Sequence, residues 1–214
     1  MSETQQTVQG GAGGHEFDAL ATQVADAAEV FLLGLQEISR GESAGTAVPL
    51  LLLEVSQLLL AGARLGVQID FEPREEFQPD GGPDPDLDAM RLRLADVLGE
   101  IDTYSHNFEP YDPETFPSQL SDDLASIAYD VALGLRHFRN GDVSEALWWW
   151  QFSYLSSWGT SACGVLAALH SVVAHDRLDR ELDFEGEQLE AADALAADSA
   201  AAPGVGVDTG TTAP

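Results

Sequence analysis

The chain has 214 residues, 44% of them apolar, and carries 37 acidic residues against nine basic ones, all arginine. Its formal charge of −28 argues against direct binding of nucleic acids and of anionic membrane surfaces, because both need clustered cations. The length and apolar fraction predict one globular domain. The first residues lack the basic start and apolar core of a signal peptide, so a soluble cytoplasmic protein is expected. The acidic surface serves solubility or, alternatively, mimics DNA towards a basic protein.

Helical spacing of apolar residues predicts a first helix from about Glu16 to Ser39, ended by Gly41 in a left-handed cap. A second helix is predicted from about Thr46 to Val67. Its leucines point in nearly all directions, which predicts a central position in the fold. The most apolar run, 47–63, is marginal for spanning a bilayer because it is short and contains polar residues.

The polar residues of the second helix fall on one line along its surface. Glu54, Gln57 and Arg64 are separated by three or seven residues, which places them on the same helical face. The line is either a narrow solvent-exposed stripe or a buried polar network. In the second case the Glu54 carboxylate needs a partner, because a buried charge must be paired.

A third helix is predicted from about Asp86 to Ile101 and a fourth from about Ser121 to Arg139, where Gly141 ends it. Two long connections, 68–85 and 102–119, contain seven of the ten prolines. The second connection is rich in aromatic residues, so we expect it to contact the bundle rather than to act as a linker. These residues are Tyr104, Phe108, Tyr111 and Phe116.

The stretch EALWWWQFSYLSSWG holds all four tryptophans of the chain. It predicts a fifth helix that stops at Gly159, and a sixth from about Ser161 to Leu178. Three consecutive tryptophans cover about 200° of the helix surface, so they cannot all lie on one face. They indicate either a helix that is buried on most sides or an aromatic-lined groove for a peptide, a base or an apolar ligand.

Each of the three neighbouring tryptophans begins its own line of residues along the helix. The Trp148 line, which continues through Phe152 and Leu155, is expected to lie in the core. The Trp149 line continues through Ser153, a small residue that would leave a gap for a ligand or a partner's side chain. The predicted site therefore combines this line with the polar line of the second helix and the aromatic loop: Glu54, Gln57, Tyr104, Tyr111, Trp149, Ser153 and Trp158.

No motif in the chain predicts a metal, a cofactor or a catalytic residue. The five histidines do not form an HExxH motif or the Glu-x-x-His pairs of di-iron bundles. Cys163 is the single cysteine, which excludes an intramolecular disulfide, and its small apolar neighbours predict a buried, inert thiol.

The expected architecture is therefore an all-α bundle of about six helices in one domain, residues 15–180. The ends, 1–14 and 181–214, are predicted to be disordered tails, because they are rich in glycine, alanine and acidic residues and cannot form a core. The second tail is acidic.

Four segments in this order resemble the actinobacterial branch of the family named domain of unknown function 5063: VPLLLLEVSQLLLAG, IDTYSHNFEPYDP, QLSDDLASIAYDVALGL and EALWWWQFSYLSSWG. The resemblance covers about Phe17 to Leu178 and implies an all-helical bundle with no established activity. Relatives of this kind tend to be encoded beside a DNA recombination-repair mediator, which implies an association with DNA repair. The acidic tail departs from the family's compact domain.

The leading hypothesis is a non-enzymatic interaction module that acts through a protein partner, with a DNA-repair component as the candidate. The alternative is an enzyme or a small-molecule-binding protein with an aromatic-lined pocket between the second and fifth helices. A pocket lined by Glu54, Tyr104 and Trp149 would favour the alternative, and a filled core with an exposed aromatic patch would favour the first hypothesis. The oligomeric state is left open.

Overall fold

Helices make up most of the computed structural model, which describes residues 9–41, 43–73, 82–107, 111 and 114–179. This confirms the all-α class predicted from the apolar spacing. The chain divides into two units, Met1–Val173 and Ala174–Pro214, and the second is described only over 174–179, which are helical. The predicted tails lie outside the described residues, apart from 9–14, which belong to the first helix.

In chain order the elements are α1 (Gln9–Ile38), α2 (Ala44–Gly66), α3 (Asp88–Leu98), a 3₁₀ turn (Gly99–Asp102), β1 (Thr103–His106), β2 (Phe116–Gln119), α4 (Leu120–Arg139), α5 (Val143–Ser153), a π turn (Tyr154–Trp158) and α6 (159–173). The first four predicted helices each match one observed helix. The predicted fifth and sixth helices are parts of one helix, because the chain passes through Gly159 without leaving helical conformation.

The core lies where α1, α2, α4 and α5 face one another. α1 contacts both α2 and α4, and α4 contacts α3 and α5. The largest aliphatic and aromatic side chains in this region are almost fully buried, and each contributes about 1.5–3 kcal/mol relative to an exposed position. They include Phe31, Leu35, Leu51, Leu58, Leu124 and Ile127. On α3, Met90, Leu94 and Leu98 form the buried stripe that the spacing predicts.

The aromatic connection before α4 is a β-hairpin, which the sequence pattern did not predict. β1 and β2 pair antiparallel, with Thr103 opposite Gln119 and His106 opposite Phe116. Asp102, just before β1, is 4% exposed and accepts hydrogen bonds from both the N–H and the hydroxyl of Ser121, at 2.8 and 2.9 Å. The first turn of α4 is therefore capped by a distant carboxylate, because the hairpin brings Asp102 to the start of the helix.

The helix that carries the tryptophans widens into a π turn at Tyr154–Trp158. The N–H of Gly159 bonds to the carbonyl oxygen of Tyr154, five residues earlier. A Cβ at Gly159 would lie 2.4 Å from that oxygen, so the position accepts only glycine without a shift of the backbone. The glycine that predicts a helix end instead permits the wider turn. Such turns recur at functional sites.

Trp150 and Trp158 anchor this helix in the core, at 1% and 2% exposure. The Trp150 indole N–H donates to the carbonyl oxygen of Val131 at 3.0 Å, and a Cβ at Gly134 would lie 2.2 Å from the same nitrogen. A Cβ at Gly62 would lie 2.6 Å from the Trp158 ring. The two indole rings therefore lie directly on the backbones of α4 and α2, which is possible only where those helices carry glycine.

The Trp148 line faces outward, so the prediction that it lies in the core is wrong. Phe152 is 51% exposed and Leu155 is 59% exposed. Trp148 is half-buried and stacks on Phe152, with ring centroids 5.4 Å apart. The reason is the position of the glycines: with Trp150 and Trp158 held on the neighbouring helices, the line that begins at Trp148 is turned away from them.

Two helices are long and apolar enough to span a bilayer by length and composition: α2, and the continuous helix from Val143 to Asp179. One face of α2 is buried within the bundle, at positions that include Leu51, Val55, Leu58 and Leu65. The opposite face is exposed at Leu50, Leu53 and Leu60, so α2 is buried on one side only and does not occupy the central position that its leucines predicted.

Replacing Trp150 with alanine is expected to lower the free energy of unfolding by about 3–5 kcal/mol, because it leaves a cavity between α5 and α4. Trp148→Ala is expected to cost less than half as much, since its ring lies on the outward face. Equilibrium denaturation with guanidinium chloride of the two variants measures the difference. Equal losses of stability would contradict this assignment of the two faces.

Gly62→Ala is expected to destabilise the fold by about 1–3 kcal/mol, because the added methyl group overlaps the rings of Tyr154 and Trp158. Gly45→Ala is the matched control in the same helix, with nothing within 4 Å of the new Cβ. It is expected to stabilise the helix by about 0.5–1 kcal/mol at most. Thermal melts compare the two, and a Gly62→Ala variant that melts at or above the wild-type temperature would refute the close contact.

Candidate functional site

The outward face of α5 forms one side of a groove of about 320 Å³, which we call the α5 groove. Its lining residues are Asp70, Phe71, Trp148, Gln151, Phe152, Leu155 and Ser156. The rings of Trp148 and Phe152 are nearly parallel, at 9°, and offer a continuous aromatic surface. Large exposed apolar side chains gathered in one groove are typical of a binding site.

The opposite wall of the groove is held in place by a buried side chain of α5. Gln151 is 3% exposed, accepts a hydrogen bond from the Phe71 N–H at 2.8 Å and donates to the Leu65 carbonyl oxygen at 3.0 Å. Phe71 also contacts Phe17 edge to face, with centroids 5.3 Å apart. The segment after α2 is therefore fixed against α5 and α1, so the groove has two defined walls.

The groove carries negative charge. Asp70 is the one charged residue among those that line the groove. Asp130 of α4 is not a lining residue, but it accepts a hydrogen bond at 2.8 Å from the hydroxyl of Ser157, the neighbour of the lining residue Ser156. Burial raises the pKa of Asp130, and this hydrogen bond acts in the opposite direction. Aromatic faces beside carboxylates attract cations, so the groove favours a positively charged partner group.

The predicted site residues on α5 and the π turn are not among those that line the groove, although the Trp149 ring contacts the rings of Trp148 and Phe152. Trp149 is half-buried and its indole N–H donates to the Asp130 carbonyl oxygen at 2.8 Å. Ser153 is 2% exposed and its hydroxyl donates to the Trp149 carbonyl oxygen at 2.7 Å, so the gap expected there is closed. Trp158 is in the core. These three residues support the fold rather than an open site.

Glu54 lies at the contact between α1 and α2, and Gln57 is on the exposed side of α2. A Cβ at Gly34 of α1 would lie 2.9 Å from the carboxyl carbon of Glu54, which is half-buried. Its Oε2 atom is buried and accepts no hydrogen bond from the described residues, and burial raises the pKa of this carboxyl group. Gln57 is exposed, and Arg64 is exposed and donates to Gln23 at 3.0 Å. The polar line is therefore buried only at Glu54.

The two predicted tyrosines have opposite environments. Tyr111 is 98% exposed. Tyr104 is half-buried against the core, and its hydroxyl donates to Asp123 Oδ2 at 2.8 Å, as the Ser118 hydroxyl does at 2.6 Å. Burial, followed by the bond to the Asp123 carboxylate, raises the pKa of Tyr104 far above its ordinary value. The contact of the aromatic loop with the bundle is confirmed at Tyr104 only, and Phe108 lies outside the described residues.

Two further clefts, of about 520 and 680 Å³, lie on either side of His106, and both include Gly164 of α6. His106 stacks on Tyr104, and a Cβ at Gly164 would lie 2.7 Å from its Nδ1 atom. The larger cleft also contains Tyr154 and Cys163, which is exposed and not buried as predicted. Space for a small molecule is therefore found here, and the rings of Tyr154 and Trp158 fill the contact with α2 at Gly62.

In the described part of the chain, no group of three or more His, Cys, Asp or Glu side chains is placed so that it could hold a metal ion.

The structure does not bring the seven predicted site residues together. Asp70, Phe71 and Phe152 were missed as site residues. Phe152 belongs to the Trp148 line, which is visible in the sequence. The glycines of α2 and α4, Gly62 and Gly134, were the signal that this line faces away from those helices. Asp70 and Phe71 gave no local signal.

Comparison with known proteins agrees with this helical architecture. The crystal structure of protein BF1032 from Bacteroides fragilis is similar over 73% of this chain and 93% of that chain, with a TM-score of 0.59 and 22% sequence identity. At this identity the likeness shows a shared fold alone. No curated protein matches the chain significantly. The family model described as a domain of unknown function (DUF5063) matches residues 15–175, and the chain belongs to this family.

Proposed function

We propose that the protein is a non-enzymatic interaction module that binds a basic, partly apolar segment of a partner protein in the α5 groove. The observation that carries the proposal is the stacked, outward-facing pair of Trp148 and Phe152 beside Asp70. A guanidinium or ammonium group over these rings gains a cation–π contact and the attraction of the carboxylate. Phe71 and Leu155 offer apolar contacts to the neighbouring side chains of the same segment.

The chemistry of the groove favours binding over catalysis. Its lining contains one charged group, Asp70, and the Ser156 hydroxyl already donates to the Phe152 carbonyl oxygen at 2.7 Å. An active site usually brings several convergent polar groups to one reacting atom. The α5 groove instead presents aromatic and aliphatic surface with charge at its edge, as peptide-binding grooves do.

The biological setting of the partner rests on the sequence resemblance. We place the protein in the actinobacterial branch of DUF5063 and in the cytoplasm, and we assign the partner to DNA recombination or repair. The net charge of −28 favours a route through a basic protein over direct contact with DNA.

The test uses two labelled peptides of equal length, one with leucine and arginine at helical spacing and one with glutamate in place of each arginine. In fluorescence anisotropy at moderate salt, the arginine peptide is expected to bind in the micromolar range, which corresponds to about −8 kcal/mol. The glutamate peptide is expected not to bind. Added salt should weaken the binding, because it screens opposite charges.

Variants decide whether the groove is the binding site, because an acidic chain attracts basic peptides over its whole surface. Trp148→Ala and Phe152→Ala are each expected to weaken binding about tenfold or more, or about 1.4 kcal/mol. Phe116→Ala, which removes an aromatic side chain of 42% exposure from the hairpin, is the matched control and should bind like the wild type. Absence of binding, or equal affinities for Phe152→Ala and Phe116→Ala, would overturn the proposal.

A further inference from the structure

A second apolar surface lies on the outer side of α1 and α2. Five large aliphatic side chains are exposed there at 46–57%: Val30, Leu33, Leu50, Leu53 and Leu60. We call this surface the α1–α2 face. None of its members lines the α5 groove. Single exposed leucines are ordinary, but a contiguous group of this size on one face is typical of a protein interface.

The spacing on both helices is that of a helix–helix seam. The outward positions of α2 are separated by three, four, three and four residues: Leu50, Leu53, Gln57, Leu60 and Arg64. On α1 the same alternation is found at Asp26, Val30, Leu33 and Glu37. This is the pattern with which one helix presents a stripe to another helix.

The two stripes run side by side. Contacts across the α1–α2 seam are those of Gly34 with Glu54 and of Gln23 with Arg64, which fixes an antiparallel pair of helices. The apolar side chains next to these contacts therefore form one surface and not two separate ridges. That surface has no covering helix among the described residues, as the exposure of its leucines shows.

The charge of this face differs from that of the chain as a whole. Asp26 and Glu37 lie on the α1 stripe and Arg64 lies on the α2 stripe, with Glu54, Glu29 and Arg40 close to them along the two helices, and Arg139 of α4 reaches Glu29. Arg139 pairs with Glu29 at 2.7 Å, and Arg40 pairs with Glu37. The local balance is close to neutral in a chain of net charge −28. Two copies of this chain meet the least repulsion at such a face.

We infer that the protein forms a two-fold symmetric homodimer through the α1–α2 face, with α2 antiparallel to α2 of the second copy about an axis near Gln57. The axis lies midway between Leu53, four residues before Gln57, and Leu60, three residues after it. Leu53 of one copy then lies beside Leu60 of the other, and the two Gln57 amides face each other at the axis. A face that pairs with itself in this way is the isologous type.

The area of the face is sufficient for a stable dimer. The 23 residues of α2 span about 35 Å at 1.5 Å per residue, and two adjacent helices are roughly 20 Å wide. The whole outer side of the two helices, with the five aliphatic side chains near its centre, therefore measures about 700 Å², close to the ~800 Å² that each partner buries in an interface of standard size.

Sedimentation equilibrium of the full chain over a range of micromolar concentrations tests the inference. The wild type is expected to show a dimer in reversible equilibrium with the monomer. The double variant Leu53→Glu, Leu60→Glu should dissociate at least tenfold more readily, because it places four carboxylates in the interface. Leu92→Glu is the matched control on α3, where Leu92 is 56% exposed, and should remain as dimeric as the wild type.

Salt distinguishes this dimer from the peptide complex of the α5 groove. Screening of the like charges of two acidic copies should strengthen the dimer as salt increases, the opposite of the expected effect on the basic peptide. A wild-type monomer at all concentrations, or a double variant that dissociates no more readily than Leu92→Glu, would overturn the inference. Neither result affects the α5 groove.

The register is tested by cross-linking in a Cys163→Ser background, which removes the single natural thiol. Gln57→Cys places two thiols at the axis, so mild oxidation should give a disulfide-linked dimer. Ser56→Cys is the control, because its neighbouring position is exposed but turned about 100° around the helix. Cross-linking of Ser56→Cys as efficient as that of Gln57→Cys would rule out an axis at Gln57.

Discussion

The rest of the structure depends on one constraint: the indole rings of Trp150 and Trp158 lie directly on helix backbone, at Gly134 and Gly62. A tryptophan buries roughly 150–250 Å², so the placement of Trp150 and Trp158 largely determines the rotation of α5 about its own axis. Once both rings lie inward, the neighbouring line from Trp148 must face solvent. The binding groove is therefore a consequence of where α2 and α4 lack side chains.

Much of the fold follows from periodicity in the sequence. The buried stripe of α3 and the glycine that ends α4 are local signals, and the helices that they predict are found. The orientation of α5 is not a local property, because each of its three tryptophan lines is apolar and spacing alone cannot rank them. The hairpin and the cap that Asp102 provides depend on residues nearly twenty positions apart. For the same reason the residues predicted for the site on α5 are not those that line the α5 groove.

Negative charge is unevenly distributed over the surface of the protein. Arginines pair locally where helices meet, as Arg139 does with Glu29 and Arg91 does with Asp122 at 2.8 Å. Such pairs contribute little stability when exposed, but they neutralise the surface around them. The bundle therefore has two chemically different surfaces. The α5 groove is aromatic and lies next to carboxylates that are unpaired among the described residues, whereas the α1–α2 face is aliphatic and lies next to paired charges. The first suits a cationic partner, and the second suits a copy of the same chain.

The π turn also sets the phase of the helix that follows it. At about 100° per residue, an uninterrupted α-helix would turn the inward positions after the turn, such as Val165 and Leu169, about 100° away from Ala146 and Trp150. A rotation of 100° corresponds to one residue of α-helix. Because the π turn contains one extra residue, it cancels this rotation, and the helix before the turn and the helix after it face the same core. A chain lacking one residue between 154 and 158 could run as an ordinary α-helix and keep the same contacts. A one-residue deletion is thus tolerated at this turn, whereas an insertion elsewhere in the helix would rotate α6 out of the core.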